Sequence, residues 1–185
     1  MGARQAAKAA LIAIFISLLP ISAEAAPRRL PARGEHVFDL IVPDIGLREE
    51  VVAGIGQAEL RNAVGKYPAC REGFPPPYCT RFEERWPGED GAVYLGGHRT
   101  LEEKPFFHLG RLKRGDEILL STQKGTFRYA VTRQEVVDDG DLSIVVPRTR
   151  PMVVLITCHP KYSAEERMIV YARELPARPQ VPTPR

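Results

Sequence analysis

The sequence predicts a mostly β domain, a barrel or a sandwich, and three observations carry that expectation. After a Pro- and Arg-rich stretch the apolar residues recur in short runs bounded by Gly, Pro and Asp, not at helical spacing. With 185 residues, 44% of them hydrophobic and 26% charged, the chain suits one core. A domain of that size buries roughly 70% of the surface its unfolded chain exposes. The 17 prolines and 15 glycines are spread without repeat or period, which excludes collagenous, coiled-coil and multi-span membrane classes. Net charge is +3, from 26 basic and 23 acidic residues without a basic stripe, so no nucleic-acid partner is expected.

Residues 1–26 read as a targeting segment. Arg4 and Lys8 precede an apolar run from Ala9 to Ile21, and small residues Ser22, Ala23, Ala25 and Ala26 follow. The same stretch is about the minimum length for a bilayer span, so a cleaved signal peptide and a retained membrane anchor both stay open. Either places the domain outside the cytoplasm, with possible membrane attachment through these residues. Residues 27–36 form a linker, and 37–175 form the expected domain.

Expected strands are Val37–Val42, Glu49–Ala53, Ala92–Gly96, Glu117–Thr122, Thr126–Val136, Met152–Thr157 and Met168–Glu174. Two short helical pieces are expected, at Ala58–Val64 and within Phe106–Leu112. Lys124-Gly125 reads as a hairpin turn. Asp138, Asp139 and Asp141 have the spacing of hard oxygen ligands but lack the rest of a calcium loop, and are read as a solvated turn. The tail, 176–185, carries four prolines and is expected to lack structure.

Three cysteines in an exported chain leave one unpaired. Cys70 and Cys79 flank a turn-rich stretch, and a disulfide between them is the simplest assumption; two buried or metal-binding thiols are the alternative. Cys158 then stands alone at the end of the apolar run Val153-Val154-Leu155-Ile156-Thr157. A lone cysteine is usually a packing residue, but its neighbourhood carries chemistry. If the last two strands pair antiparallel through the loop Pro160–Glu166, Arg167 faces Cys158. A strand ending in Gly96-Gly97 delivers His98. Among the other histidines, His36 lies in the linker, His108 in a helical turn, and His159 points away from Cys158 by strand alternation.

These residues resemble a known family, the sortases, extracellular cysteine transpeptidases of mainly Gram-positive bacteria, over about Asp39–Glu174. Leu155 with Thr157-Cys158 resembles the family's T-L-x-T-C strand, Gly97-His98-Arg99-Thr100 its histidine segment, and Arg167 in Ser163–Val170 its arginine. The stretch Thr157–Ala164 is most similar to class E members, with class D next. Val42–Leu47, Phe106–Leu109 and Lys113–Asp116 resemble framework segments. Two departures stand out: Val154 replaces the first Thr of the pattern, and the stretch Cys70–Arg85 is longer than most members carry. That stretch either lies over the groove as a lid or covers the barrel's end.

The resemblance implies a closed β-barrel of about eight strands. It implies Cys158 as nucleophile, His98 as acid and base, and Arg167 with backbone donors near Thr157 at the oxyanion. No metal or cofactor is implied. Partners would be surface proteins bearing a Leu-Ala-x-Thr-Gly or Leu-Pro-x-Thr-Gly sorting signal, cut between Thr and Gly. The acceptor would be an amine, on a peptidoglycan precursor or a pilin Lys. The connection Val137–Pro151 is the family's usual place for reading the signal. A cysteine endopeptidase and a non-catalytic β-barrel binding module remain alternatives.

Overall fold

A computed structural model describes residues 28–76, 78–141 and 144–176. The expected leader or anchor (1–26) and residues 177–185 of the expected tail lie outside the described residues. Among the described residues, no helix is long and apolar enough to cross a membrane.

Eight strands close into a barrel. They are β1 (His36–Val42), β2 (Leu47–Ala53), β3 (Val64–Lys66), β4 (Ala92–Gly96), β5 (Glu117–Thr122), β6 (Gly125–Asp138), β7 (Met152–His159) and β8 (Glu166–Glu174). Their order around the barrel is β1-β2-β3-β4-β7-β8-β6-β5. Two pairs are parallel, β2 with β3 and β4 with β7; the others are antiparallel. Closure removes the unpaired edges that an open sheet would expose.

Period-two alternation fills the barrel. Phe38, Leu40 and Val42 of β1 point inward, joined by Val93 and Leu95 of β4, Val153 and Leu155 of β7, and Val170 and Ala172 of β8. Alternate residues on β4, β7 and β8 build a second apolar layer outside the wall: Tyr94, Val154, Ile156, Ile169 and Tyr171, covered by Ile144 and Val145 of the β6–β7 connection. Val154, the departure from the Thr pattern, is therefore a buried packing residue of this outer layer.

The seven expected strands are present, and an eighth, β3, begins at the last residue of the expected Ala58–Val64 helix, which is shorter than expected. Helix α1 is a single turn, Gln57–Leu60, and Val64 already belongs to β3. The reason is a close backbone approach. A Cβ on Gly65 would sit 2.2 Å from the Gly54 carbonyl oxygen, so glycine lets β3 run against the end of β2. The second expected helical piece is a 3₁₀ turn, Leu109–Arg111, whose Leu109 inserts with Phe106 and Leu112 into the interior cluster. The hairpin loop is Gln123-Lys124, one residue earlier than expected, with Thr122 paired to Gly125.

Cys70 and Cys79 form the expected disulfide, and Cys158 is free. The crosslinked loop is fastened to β3 by a buried ionic triad. Lys66 Nζ, on a residue only 1% exposed, donates to Glu84 Oε1 at 2.7 Å, and Arg71 Nη1 donates to Glu84 Oε2 at 2.6 Å. Trp86 lies 4.4 Å from the Lys66 ammonium and packs on the interior cluster with Val37 and Phe127. Thus the segment after the disulfide covers an end of the barrel. Its residues 82–85 also border a small cavity of about 60 Å³, shared with Tyr94 and Val146–Arg148.

Burial would raise the Glu84 carboxyl, but Lys66 and Arg71 outweigh it and hold the group below its ordinary value. Its stabilisation is therefore complete above the unfolded value of 4.5 and is lost as pH falls through the lower folded one. Burial pulls Lys66 down to about 8 despite its partner. Removing one member of a buried pair typically costs about 3–5 kcal/mol, because the other charge is left unmatched. We predict that Glu84→Gln loses stability of that order in urea unfolding at pH 7, and flattens the acid limb of the stability profile.

Candidate active site

Strand β7 is hydrogen-bonded on both sides, and that places the candidate residues. Its antiparallel register with β8 pairs Cys158 with Arg167. Its parallel register with β4 pairs Gly96 with Ile156, and Gly97 N–H continues to the Ile156 carbonyl at 3.2 Å. On the outer face the residues are Tyr94 and Gly96 of β4, Ile156 and Cys158 of β7, and Ile169 and Arg167 of β8. His98 follows β4 in the connecting segment, two residues beyond Gly96. The histidine segment, Cys158 and Arg167 thus stand at the ends of three neighbouring strands at one mouth of the barrel.

Local chemistry fixes each backbone. Gly97 is required because a Cβ there would stand 2.8 Å from the Phe106 ring, and Phe106 N–H donates to the His98 carbonyl at 3.0 Å. Thr157 points inward, 2% exposed, and its hydroxyl donates to the Gly97 carbonyl at 2.8 Å, tying the histidine segment to the residue before Cys158. Cys158 and His98 are each half-buried.

Arg167 has firm partners. Its guanidinium bonds Asp139 Oδ1 at 2.6 Å and the carbonyls of Ala164 and Glu166 at 3.0 Å. Asp139 is therefore an ion-pair partner, where a solvated turn was expected. Burial pushes the Tyr67 phenol up to about 12; Arg167 opposes this, while Cys158 and Asp139 add to it, which places Tyr67 in the field of the same mouth.

A second arginine was not singled out from the sequence. Arg99, 7% exposed, sends Nη1 to the Cys158 carbonyl at 3.1 Å and to His159 Nδ1 at 2.6 Å. A guanidinium has no acceptor, so Nδ1 accepts, and the opposite ring nitrogen faces Glu166 at 3.9 Å. Burial lowers the Arg99 pKa and Cys158 opposes that shift, which puts this cation within electrostatic reach of the sulfur. The signal lay in the sequence as a polar residue next to His98, but nothing in the spacing marks it as buried.

The β6–β7 connection is pinned over the outer layer by one side chain. Tyr94 Oη donates to the Val146 carbonyl at 2.6 Å and accepts from Val146 N–H at 3.2 Å. The connection therefore packs along the outer layer of Tyr94 and Ile156, on the face that Cys158 shares.

A profile of the sortase domain matches residues 40–175. The chain belongs to the sortase family. Sortases are cysteine transpeptidases that act, in general, outside the cytoplasm on surface proteins carrying a sorting signal and on amine acceptors. Sortase D of Bacillus subtilis (strain 168) is 28% identical over 149 residues, which cover 78% of this chain and 67% of that protein. Sortase SrtE1 of Streptomyces coelicolor is 28% identical over 99 residues, 49% of this chain but only 28% of that longer protein. Among solved structures, sortase A from Corynebacterium diphtheriae superposes with a TM-score of 0.67 at 23% identity, covering 81% of this chain and 65% of that one. A sortase D5 transpeptidase of Clostridium perfringens gives 0.63 at 21% identity, covering 77% and 81%. At those identities the structural likeness concerns the fold, the mostly β closed barrel expected from the sequence.

We predict that Arg99→Gln, which removes charge-assisted bonds worth about 1.5–3 kcal/mol each, lowers the urea midpoint and slows alkylation of Cys158 by iodoacetamide at neutral pH. Reactivity equal to the unsubstituted chain would dissociate Arg99 from the thiol.

Proposed function

We propose that this sortase is an extracellular transpeptidase that resolves a Cys158 thioester with an amine. The observation that supports it most is the Cys158–Arg167 register pair, with the His98 segment tied by Thr157 beside it, a row of backbone positions at the ends of β4, β7 and β8. In this reading the Cys158 thiolate attacks the Thr carbonyl of a Leu-Ala-x-Thr-Gly or Leu-Pro-x-Thr-Gly type signal. Collapse of the tetrahedral intermediate breaks the Thr–Gly bond, and His98 gives a proton to the leaving amine. An incoming amine then attacks the thioester, His98 takes its proton, and the thiolate returns. The acceptor is an amine on a peptidoglycan precursor or a pilin Lys.

Arg167 is assigned to the oxyanion, together with backbone donors near Thr157. Exchange of Asp139 for the oxyanion keeps the guanidinium's charge matched before and during acylation. The groove beneath the Tyr94-pinned connection is assigned to the residues of the signal ahead of Thr. Residues 1–26 are assigned to export and to possible membrane attachment.

Incubation of the full chain with signal peptide and an amine tests the scheme. Cys158→Ala abolishes product; His98→Ala lowers acylation by about 10²–10⁴-fold and removes the bell from its pH profile. Hydrolysis alone at every amine concentration would make the protein an endopeptidase instead, and activity surviving Cys158→Ala would leave a binding module. Tyr94→Phe, which frees the connection while sparing the row, raises KM for the peptide more than it lowers kcat. The reverse split would detach the connection from signal binding.

A further inference from the structure

His159 is the last residue of β7, and strand alternation turns its ring away from the Cys158 side chain. The ring is nonetheless held from two sides. Nδ1 accepts from Arg99 Nη1 at 2.6 Å, and Nε2 lies 3.9 Å from Glu166 Oε2. His159 and Glu166 are register partners across β7 and β8. A carboxylate on the Nε2 side favours the tautomer that carries its proton there and leaves Nδ1 free to accept. The same Arg99 nitrogen donates to the Cys158 carbonyl at 3.1 Å. Glu166, His159, Arg99 and the Cys158 peptide therefore form one chain of contacts, which starts on β8 and ends at the residue that bears the thiol.

The imidazole is the part of this chain that holds the arginine in place. Arg99 is 7% exposed, and among the described residues its hydrogen bonds go to the Cys158 carbonyl and to His159 Nδ1. Its Nε is buried without a partner. Without Nδ1 a buried cation would keep one neutral acceptor, and a buried charge so poorly matched is costly. The other side of the guanidinium is closed by Gly110, where a Cβ would stand 3.3 Å from Arg99 Nη2. The group is thus wedged between Gly110 and the His159 ring. Cys158 acts on the Arg99 pKa, so this wedged cation lies in the field of the sulfur. A cation held near a thiol favours the thiolate.

We propose that His159 is a positioning residue for the Cys158 nucleophile, acting through Arg99: it accepts the hydrogen bond that keeps the guanidinium against the Cys158 peptide, and Glu166 keeps it in the accepting tautomer. The proposal rests on the reading of Cys158 as the nucleophile.

The second-order rate of Cys158 alkylation by iodoacetamide, measured on the full chain at neutral pH, tests it. His159→Leu removes the acceptor and slows alkylation about threefold, from about tenfold less thiolate partly offset by the greater nucleophilicity of a more basic sulfur. His159→Ala does the same, and serves if the Leu variant does not fold. His159→Gln, whose amide oxygen accepts from Arg99, keeps the rate of the unsubstituted chain. In an Arg99→Gln background His159→Leu slows the reaction no further, because the group it acts through is gone. Three results overturn the proposal: an unchanged rate in His159→Leu and His159→Ala, a His159→Gln protein as slow as they are, or a His159→Leu effect that persists undiminished in Arg99→Gln. Alkylation needs neither signal peptide nor amine. Failure here therefore leaves the nucleophile reading standing, and that reading falls separately if Cys158→Ala retains activity in the transfer assay.

Discussion

The double hydrogen bonding of β7 is the constraint on which the rest depends. A strand with one partner can slip in register; a strand laddered to β4 on one side and β8 on the other can slip only if both ladders break. The parallel ladder sets the height of the histidine segment, and the antiparallel one sets that of Arg167. Side-chain alternation then separates labour along β7: Val153, Leu155 and Thr157 face the barrel, Val154 and Ile156 pack the covered outer layer, and Cys158, on that same face, is half-buried. Packing and reactivity are thus drawn from the same eight residues.

Two buried cations show different solutions to one electrostatic problem. Lys66 is matched by a carboxylate, and Glu84 is shared further with Arg71, so the charge is spent within the scaffold. Arg99 is matched instead by the Cys158 carbonyl and by His159 Nδ1, neither of them a carboxylate. Its positive field is therefore not cancelled locally and extends to the neighbouring thiol. The mouth of the barrel accordingly holds one guanidinium neutralised by Asp139 and another that is not.

Most of the architecture was legible because inward and outward residues alternate along β1 and β5, while β7 is a continuous apolar run buried on both faces. The exception is β3, whose three residues include a glycine and a lysine, both buried. Hydrophobic patterning is blind to a strand whose middle residue is small to admit another backbone and whose last is a charged group paired 18 residues on. At the candidate site the Cys158–Arg167 pairing follows from the length of one hairpin, so sequence reached it. Partners lying far along the chain were not accessible in that way. Asp139 meets Arg167 across the β6–β8 ladder, and Arg99 reaches His159 from 60 positions away. Both look like ordinary surface charges when read in isolation.

His98 lies between two crosslinks to β7: the Thr157 hydroxyl bonds the carbonyl of the residue before it, and the residue after it, Arg99, bonds the Cys158 carbonyl. The segment is thus clamped on both sides of the imidazole. Because the clamps are only two residues apart, neither can be relocated by itself through insertion or deletion. Descendants of this chain can vary the reach of their surface loops freely, but they inherit this grip whole or lose it.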